Sequence, residues 1–410
     1  MPESKSLPLG IRRSDPAYRR AVLAMLAAGL ATFNAVYATQ AVLPTFVSEL
    51  GVTPDQAALT VSATTGLLAV CIMPASILSE RFGRGKVLIV SALLATCLAL
   101  LLPLAPTFEV MVGLRAVQGA VVAGVPAVAM TWLSEELDPK DLGSAMGIYV
   151  AGTTVGGLSG RLIPSGLLEF MDWRWAMFFS SLIALGFALL AAVLLPAQRR
   201  FRPKAIHPHT EFLATVRHLR NPRLLALFAS AFVGMGTFVS LYNYIGFRMM
   251  SQFGLSEGLV GLVFIMYLAG TWSSARVGRL VSRSTRGRLM VGAASLMGVS
   301  ILLLIPANLI TTLVAIFTFT AAFFAMHSVA SGWVGIIATE NRAEGSGMYL
   351  FCYYAGSSII GWMSGYVFSS QEWLGLIVWL LLLASGLVAI ATLSAIAEKS
   401  QRRQPRRSMT

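Results

Sequence analysis

Four ionisable side chains stand inside otherwise apolar stretches of this 410-residue chain: Arg115, Arg161, Arg248 and His327. A charge at the centre of a bilayer costs at least about 2.5–3.5 kcal/mol, so such groups mark candidate paths for protons or solutes. Imidazole has an ordinary pKa of about 6.5, which makes His327 either a carrier of a coupling proton or a hydrogen-bonded packing residue among Phe324, Met326 and Val329. Arg115 is either a water-facing cation that senses proton or substrate charge, or a guanidinium bound to carbonyls of its own bundle. Arg161 faces a cleft or snorkels along its helix, and Arg248 reads as an interfacial anchor.

The acids are placed differently. Every Asp and Glu falls in a loop or at the end of a stretch, with Glu80, Glu135, Glu136, Asp141 and Glu257 nearest to membrane depth. Buried arginine without a buried acid predicts a site for neutral or anionic solutes such as sugars, organic acids or amphipathic metabolites. The sequence carries no phosphate-cradling glycine loop, no metal-ligand spacing and no nucleophile–base pair, so the expectation is a non-enzyme with no cofactor or metal. Cys71, Cys97 and Cys352 lie at membrane depth and read as packing residues.

The elements that position these groups are twelve apolar stretches, near 20–46, 57–79, 86–105, 110–134, 142–167, 174–196, 222–248, 257–275, 289–308, 311–337, 346–368 and 373–396. Each is about long enough to cross a hydrocarbon core of roughly 30 Å as a helix. With 56% hydrophobic and 12% charged residues, the chain has too little polar surface for a soluble globule. The segments are too long and too weakly alternating for barrel strands, so an all-α membrane protein with almost no strand is expected.

A net charge of +13 invites a nucleic-acid reading, which the positions of the bases dismiss. Lys5, Arg12, Arg13, Arg19 and Arg20, then Arg81, Arg84, Lys86 and Lys140, then Arg199 to Arg223, Arg276 to Arg288, Arg342 and the tail from Lys399 to Arg407 all fall on one side of a twelve-span chain. This positive-inside bias predicts that both termini are cytoplasmic. The first span is longer than a signal-peptide apolar region and no convincing small-residue cleavage site follows it, so it is expected to be uncleaved.

The polar segment near 198–221 divides the chain into six spans plus six. The expected organisation is a cytoplasmic tail (1–19), a first six-helix bundle (20–197), a linker loop (198–221), a second bundle (222–397) and a basic tail (398–410). The halves repeat one another: Leu78, Arg81, Arg84 and Gly85 align with Leu280, Arg283, Arg286 and Gly287, and "AGTTVGG" (151–157) with "AGSSIIG" (355–361). Asp172-Trp173 likewise aligns with Glu372-Trp373, and Gln40 with Asn243. Parallel repeats of this kind build one large class of secondary transporter, in which similar halves rock about a shared cleft.

The loop "LSERFGRGK" sets Glu80, Arg81, Arg84 and Lys86 about Gly83 and Gly85 at a tight turn, and together with Arg283 and Arg286 it forms a candidate gating loop. It resembles the signature loop of the major facilitator superfamily, with Glu80 where an aspartate is usual and Ser76 where a glycine is usual. Arg115, Gln118 and Gly119 match the R-x-x-Q-G pattern of that superfamily's drug:proton antiporters. "AGTTVGGLSGR" (151–161) is similar to the antiporter signature, with Thr153 in place of its proline. Stretches such as "LATFNAVYATQAVLP", "YNYIGFRMM" and "YLFCYYAGSSI" look like the YnfM-type bacterial inner-membrane transporters over nearly the full chain.

The resemblance implies two pseudo-symmetric six-helix bundles in a bacterial inner membrane and proton-coupled efflux by a monomer whose partners are protons, lipid and a small molecule. The alternatives are an uncoupled facilitator or importer on the same fold, or a transport-inactive sensor or scaffold. Expected cavity residues are Asn34, Tyr37, Gln40, Arg115, Gln118 and Arg161 in the first half, with Tyr242, Asn243, Tyr267, Tyr353 and Ser357 in the second. Arg115 and His327 are the proton-coupling candidates, and Gly152, Gly156, Gly157 and Gly160 the helix-packing glycines.

Overall fold

The computed structural model describes residues 10–203, 217–339 and 342–403. Among them the backbone is helical apart from turns and one isolated parallel bridge, Ile11 to Leu137. The spans are α1 (Pro16–Leu50), α2 (Pro54–Phe82), α3 (Arg84–Leu104), α4 (Phe108–Glu136), α6 (Trp173–Leu194), α7 (Pro222–Phe253), α8 (Glu257–Arg283) and α10 (Leu309–Ile337), with α5 (Pro139–Leu167) and α9 (Arg286–Leu302). The run Arg342–Arg403 is two helices, α11 (342–371) and α12 (373–403), that meet at Glu372 with φ 54° and ψ −152°. Among the described residues these make about twelve helices, and the chain is a multi-pass helical membrane protein.

Local chemistry sets several starts. α1, α5 and α7 each open on a proline whose missing N–H is no loss in the first turn. Asp15, Asp138 and Asn221 cap them by accepting from Ala17, Lys140 and Arg223 amides. α9 stops at Leu302, short of the expected 308, because Pro306 follows within a turn and cannot continue a helix.

Three spans expected to be continuous are broken; one is α8, which passes through a 3-10 turn at Val263–Met266. α1 runs as helix to Tyr37, passes through a 3-10 turn at Gln40–Val42 and resumes at Leu43. Pro44 explains the break: it offers no N–H to the carbonyl of Gln40, and its ring crowds that oxygen. α4 is interrupted at Ala123, four residues after Gly119 and three before Pro126, by the same logic. The register that pairs Gln40 with Asn243 puts Phe247 opposite Pro44, and α7 is continuous. One half of the repeat therefore carries a discontinuity that the other lacks.

The chain groups into two compact units. Residues up to 42 and from 70 to the linker make the first; residues 43–69 join those beyond the linker in the second. In the first, α5 packs against α1 with backbone touching backbone. A methyl added at Gly156 would lie 2.7 Å from the carbonyl oxygens of Gly29 and Leu30, and one at Gly152 would lie 2.7 Å from that of Leu26. In the second, Gly236 of α7 and Gly356 of α11 make the equivalent close approach. Residues 43–69 are tied to the second unit by Thr45 donating to Glu257 (2.6 Å), Ser358 donating to the carbonyl of Ser62 (2.7 Å) and Ser369 donating to Asp55 (2.8 Å). This grouping cuts across the expected 20–197 bundle.

Both units cap the start of their third helix alike. The Gly85 amide donates to Gln198 Oε1 (2.9 Å) and the Gly287 amide to Glu398 Oε2 (2.8 Å). The shared geometry supports the duplication read from sequence.

Candidate functional site

In the first unit the polar residues converge on the break in α1. A helix ending at Tyr37 leaves its last carbonyls without intrahelical donors. Arg115, 0% exposed, supplies them: Nη1 donates to Ala35 O (2.8 Å) and Nη2 to Val36 O. Nη1 also donates to Gln118 Oε1 (2.6 Å), whose Nε2 in turn donates to Ala95 O on α3 (2.9 Å). The guanidinium is a planar fork that can serve two successive carbonyls at once, which an ammonium cannot.

Arg161, 1% exposed, holds the other side of the same break. Its Nε donates to Gln40 Oε1 (2.7 Å) and its Nη1 to Gly157 O (2.6 Å), while its Cζ lies over the Tyr37 ring, 4.0 Å from the centroid. Gly157 matters because a side chain there would press on Tyr37 and Arg161. Asn34 donates to Ser159 Oγ (3.1 Å) and accepts from Ser180 Oγ (3.3 Å). Within the break, the buried Thr39 hydroxyl has no hydrogen-bond partner among the described residues. All six first-half cavity candidates therefore belong to one buried polar cluster around residues 34–42. Sequence reasoning missed its carbonyls, Ser159, Ser180 and Thr39; Pro44 was the available signal.

The second unit places its candidates differently. Tyr242 hydrogen-bonds Thr320 (2.7 Å) and lies among Phe238, Phe264 and Tyr267, with ring centroids 4.9, 5.6 and 4.6 Å away. Phe323 stacks on Phe238 at 4.2 Å and leads to His327 at 6.0 Å. His327 is half-buried; its Nδ1 is 3.0 Å from Tyr349 Oη and its ring 4.8 Å from that of Tyr353. Tyr242, Tyr267, Tyr353 and His327 thus share one aromatic nest, which Tyr349 completes. Asn243 and Ser357 are buried outside that nest, and the Ser357 hydroxyl has no partner among the described residues. Thr318, opposite Arg115 in the repeat register, bonds Ser300 instead (2.8 Å).

Arg248 is buried rather than dangling at an interface. It donates to Pro306 O (3.2 Å) and sits 4.7 Å from the Trp373 ring centroid, while Trp373 Nε1 donates to Leu304 O (3.2 Å). The first half solves the same loop with Arg174, which donates to the carbonyls of Pro103 and Ala105.

The signature loop is a charge cluster in the first unit. Gly83 adopts φ 101°, a conformation that strains any L side chain, and so turns α2 directly into α3. Arg84 is buried and donates to Glu135 (2.8 Å), Ser79 (2.9 Å) and Glu80 (3.4 Å). Glu136 accepts the Arg199 and Arg200 amides, at 2.8 and 3.0 Å. Arg81 and Lys86 point outward, as does Arg283, while Arg286 is half-buried. Ser282 stands opposite Glu80, so the second loop lacks an acid at that position.

The N-terminal segment is fastened to this face. Ile11 exchanges backbone bonds with Glu136 and Asp138, Arg12 pairs with Asp138 (3.2 Å), and Arg199 pairs with Asp15 (2.7 Å). The Asp15 carboxyl is held below its ordinary value by the Ala17 amide and then by Arg199, and the Asp138 carboxyl by the Lys140 amide, with Arg12 adding to it.

Comparison with known proteins agrees with this architecture. The family described as Major Facilitator Superfamily matches residues 24–361. The inner membrane transport protein YnfM of Escherichia coli is 38% identical over 89% of this chain and 88% of its own length. The MFS-type transporter YybF of Bacillus subtilis is 36% identical over 90% and 91%. Among solved structures, an inward-facing, unoccupied bacterial homologue of the human lysosomal transporter Spinster superposes with a TM-score of 0.77 at 16% identity, covering 96% of this chain and all of the other. A peptide transporter solved with sulfate gives 0.75 at 11% identity, covering 93% of this chain and 95% of the other.

Proposed function

Since the chain belongs to the major facilitator superfamily and is therefore a secondary transporter, we propose that it is a proton-coupled exporter of a small neutral or anionic organic compound. The sugar, organic acid or drug-like metabolite would be moved by alternating access across a bacterial inner membrane, with both chain termini cytoplasmic. The observation that carries the charge preference is the pair of fully buried guanidinium groups at the α1 break, Arg115 and Arg161. Carboxylates among the described residues stay at span ends. A permanent cation entering that region meets fixed positive charge with no acid to offset it, which disfavours it by several kcal/mol in a low dielectric.

In this reading Asn34, Tyr37, Gln40, Gln118 and Arg161 handle solute in the first unit, with Tyr242, Asn243, Tyr267, Tyr353 and Ser357 doing so in the second. His327 carries the proton, with Tyr349 as its hydrogen-bond partner; Arg115 sets the local potential. Arg81, Arg84, Lys86, Arg283 and Arg286 respond to the rocking of the halves. The R-x-x-Q-G match at Arg115 and Gln118 favours the antiporter branch and outward transport.

A second reading has its own support. Both arginines bind groups of their own unit, and His327 is tied to Tyr349, so an uncoupled facilitator needs no further feature. Proteoliposomes separate the two. Comparing metabolites exported by deletion and overexpression cells supplies candidate solutes. Solute-induced proton movement, abolished by His327→Gln, is the expected result; counterflow with no pH requirement, unchanged in His327→Gln, selects the facilitator. Transport confined to permanent cations would refute the charge argument.

A further inference from the structure

A cavity of about 600 Å3 opens at one end of the second unit, between the start of α7 and the end of α10, lined by Arg217, His218, Arg220, Arg223, Ile337 and Thr339 among others. Arg217, Arg220 and Arg223 are exposed, and their guanidinium groups have no ion-pair or hydrogen-bond partner among the described residues. No described carboxylate lines the cavity. Three like charges about one concavity repel each other, and an anion seated between them converts that repulsion into attraction. The Arg223 amide is already held by Asn221 Oδ1 at 3.0 Å, so the side chains rather than the helix start carry the charge.

The surroundings identify the kind of anion. Leu219, Leu225 and Ile336, each next in sequence to a lining residue, are 40, 48 and 51% exposed. A free phosphate has no use for an apolar shoulder; a molecule with an anionic head and hydrocarbon tails matches both surfaces. The volume lies in the usual range for a small-molecule site. Basic pockets at the ends of membrane helices suit phosphate-bearing headgroups.

We propose that this cavity binds the phosphodiester headgroup of an anionic phospholipid of the cytoplasmic leaflet, with its acyl chains along Leu219, Leu225 and Ile336. The site is separate from solute handling and rests on the cytoplasmic placement of the α7 start that loop charge predicts. It anchors the chain where it re-enters the membrane.

The test uses the full chain, reconstituted in nanodiscs of phosphatidylethanolamine with or without cardiolipin and released for native mass spectrometry. Cardiolipin adducts are expected on the wild type. In the Arg217→Gln/Arg220→Gln/Arg223→Gln variant, affinity falls about 100-fold, from about 1 kcal/mol for each arginine near a charged surface. An Arg276→Gln/Arg279→Gln control at the end of α8 retains the adducts. Should the triple variant fail to fold, Arg220→Gln alone is read, with a loss of about fivefold expected. Equal retention by wild type and variant, equal retention of phosphatidylethanolamine and cardiolipin, or displacement of cardiolipin by millimolar inorganic phosphate would each overturn the proposal.

Discussion

If Arg115 is needed because Pro44 breaks α1, then the two residues are energetically coupled, and a double-mutant cycle measures it. Arg115→Ala removes charge-assisted hydrogen bonds to Ala35 O, Val36 O and Gln118 Oε1. Each such bond contributes about 1.5–3 kcal/mol. Against this, the variant no longer buries a charge, a relief of about 2.5–3.5 kcal/mol. Three bonds at about 1.5 kcal/mol less a relief of about 3 leave a net loss of at least about 1–2 kcal/mol. Pro44→Ala restores the missing N–H, so the helix can run on and its own amides can reach those carbonyls. In that background Arg115→Ala leaves no bare carbonyl, and its cost should fall by about 1 kcal/mol or more, the size of coupling seen between residues of one network. The assay is reversible unfolding in mixed SDS and dodecylmaltoside micelles for the wild type, both single variants and the double variant. Additive effects within about 0.3–0.5 kcal/mol would show that the arginine does not serve the break, and the account given for the first unit would fail.

Other outcomes follow from the same geometry. Gly156→Ala drives a methyl to 2.7 Å from two carbonyl oxygens, whereas a methyl at Gly147 of the same helix meets nothing within 4 Å. The first should cost about 1–3 kcal/mol by overpacking, and the second should gain about 0.5–1 kcal/mol from helix propensity, both read by micelle unfolding. Because Asp15 and Asp138 have depressed carboxyl values, the docking of the N-terminal segment is fully held above the ordinary Asp value of about 3.9 and is lost as pH falls through the lowered values. Protection of the Ile11 and Asp138 amides, relative to their intrinsic exchange rates, should therefore hold down to about pH 4 and drop below it; Asp138→Asn should lower that protection above about pH 4, and unchanged protection would contradict the docking scheme. Tyr349→Phe removes the partner of His327 while leaving its ring in place, so any pH dependence of transport should shift without loss of expression; an unaltered profile would remove His327 from the coupling scheme.

The fold was legible because a bilayer leaves so few solutions: long apolar runs, loop charge and the repeated Arg84-Gly85 and Arg286-Gly287 turns set the twelve spans and their duplication. The candidates in the first half were legible for a similar reason, since a buried arginine must find acceptors. Which acceptors it finds was harder to see. Reading α1 as one span from 20 to 46 hid the break, although Pro44 lies four residues after Gln40, and backbone carbonyls have no signature of their own in a sequence. The aromatic nest around His327 was only partly visible, because Tyr349 sits twenty-two residues away and joins it through the packing of α10 on α11. The siding of residues 43–69 with the second unit comes from close packing, such as Gly365 against the Asp55 backbone, and from hydrogen bonds by Thr45, to Asp55 and to Ser62, which no periodicity reports.

The mismatch between Pro44 and Phe247 has a historical implication. A proline arriving alone would strand two carbonyls in oil, and an arginine arriving alone would bring an uncompensated ion into an intact helix, so neither step is neutral without the other. The first lobe must therefore have passed through a hydrated intermediate or acquired both together, and a hybrid assembled from two copies of the second lobe would carry Thr318 in place of a guanidinium at the Arg115 position. Such a hybrid should insert and fold, yet be electrically blank where the natural chain is positive.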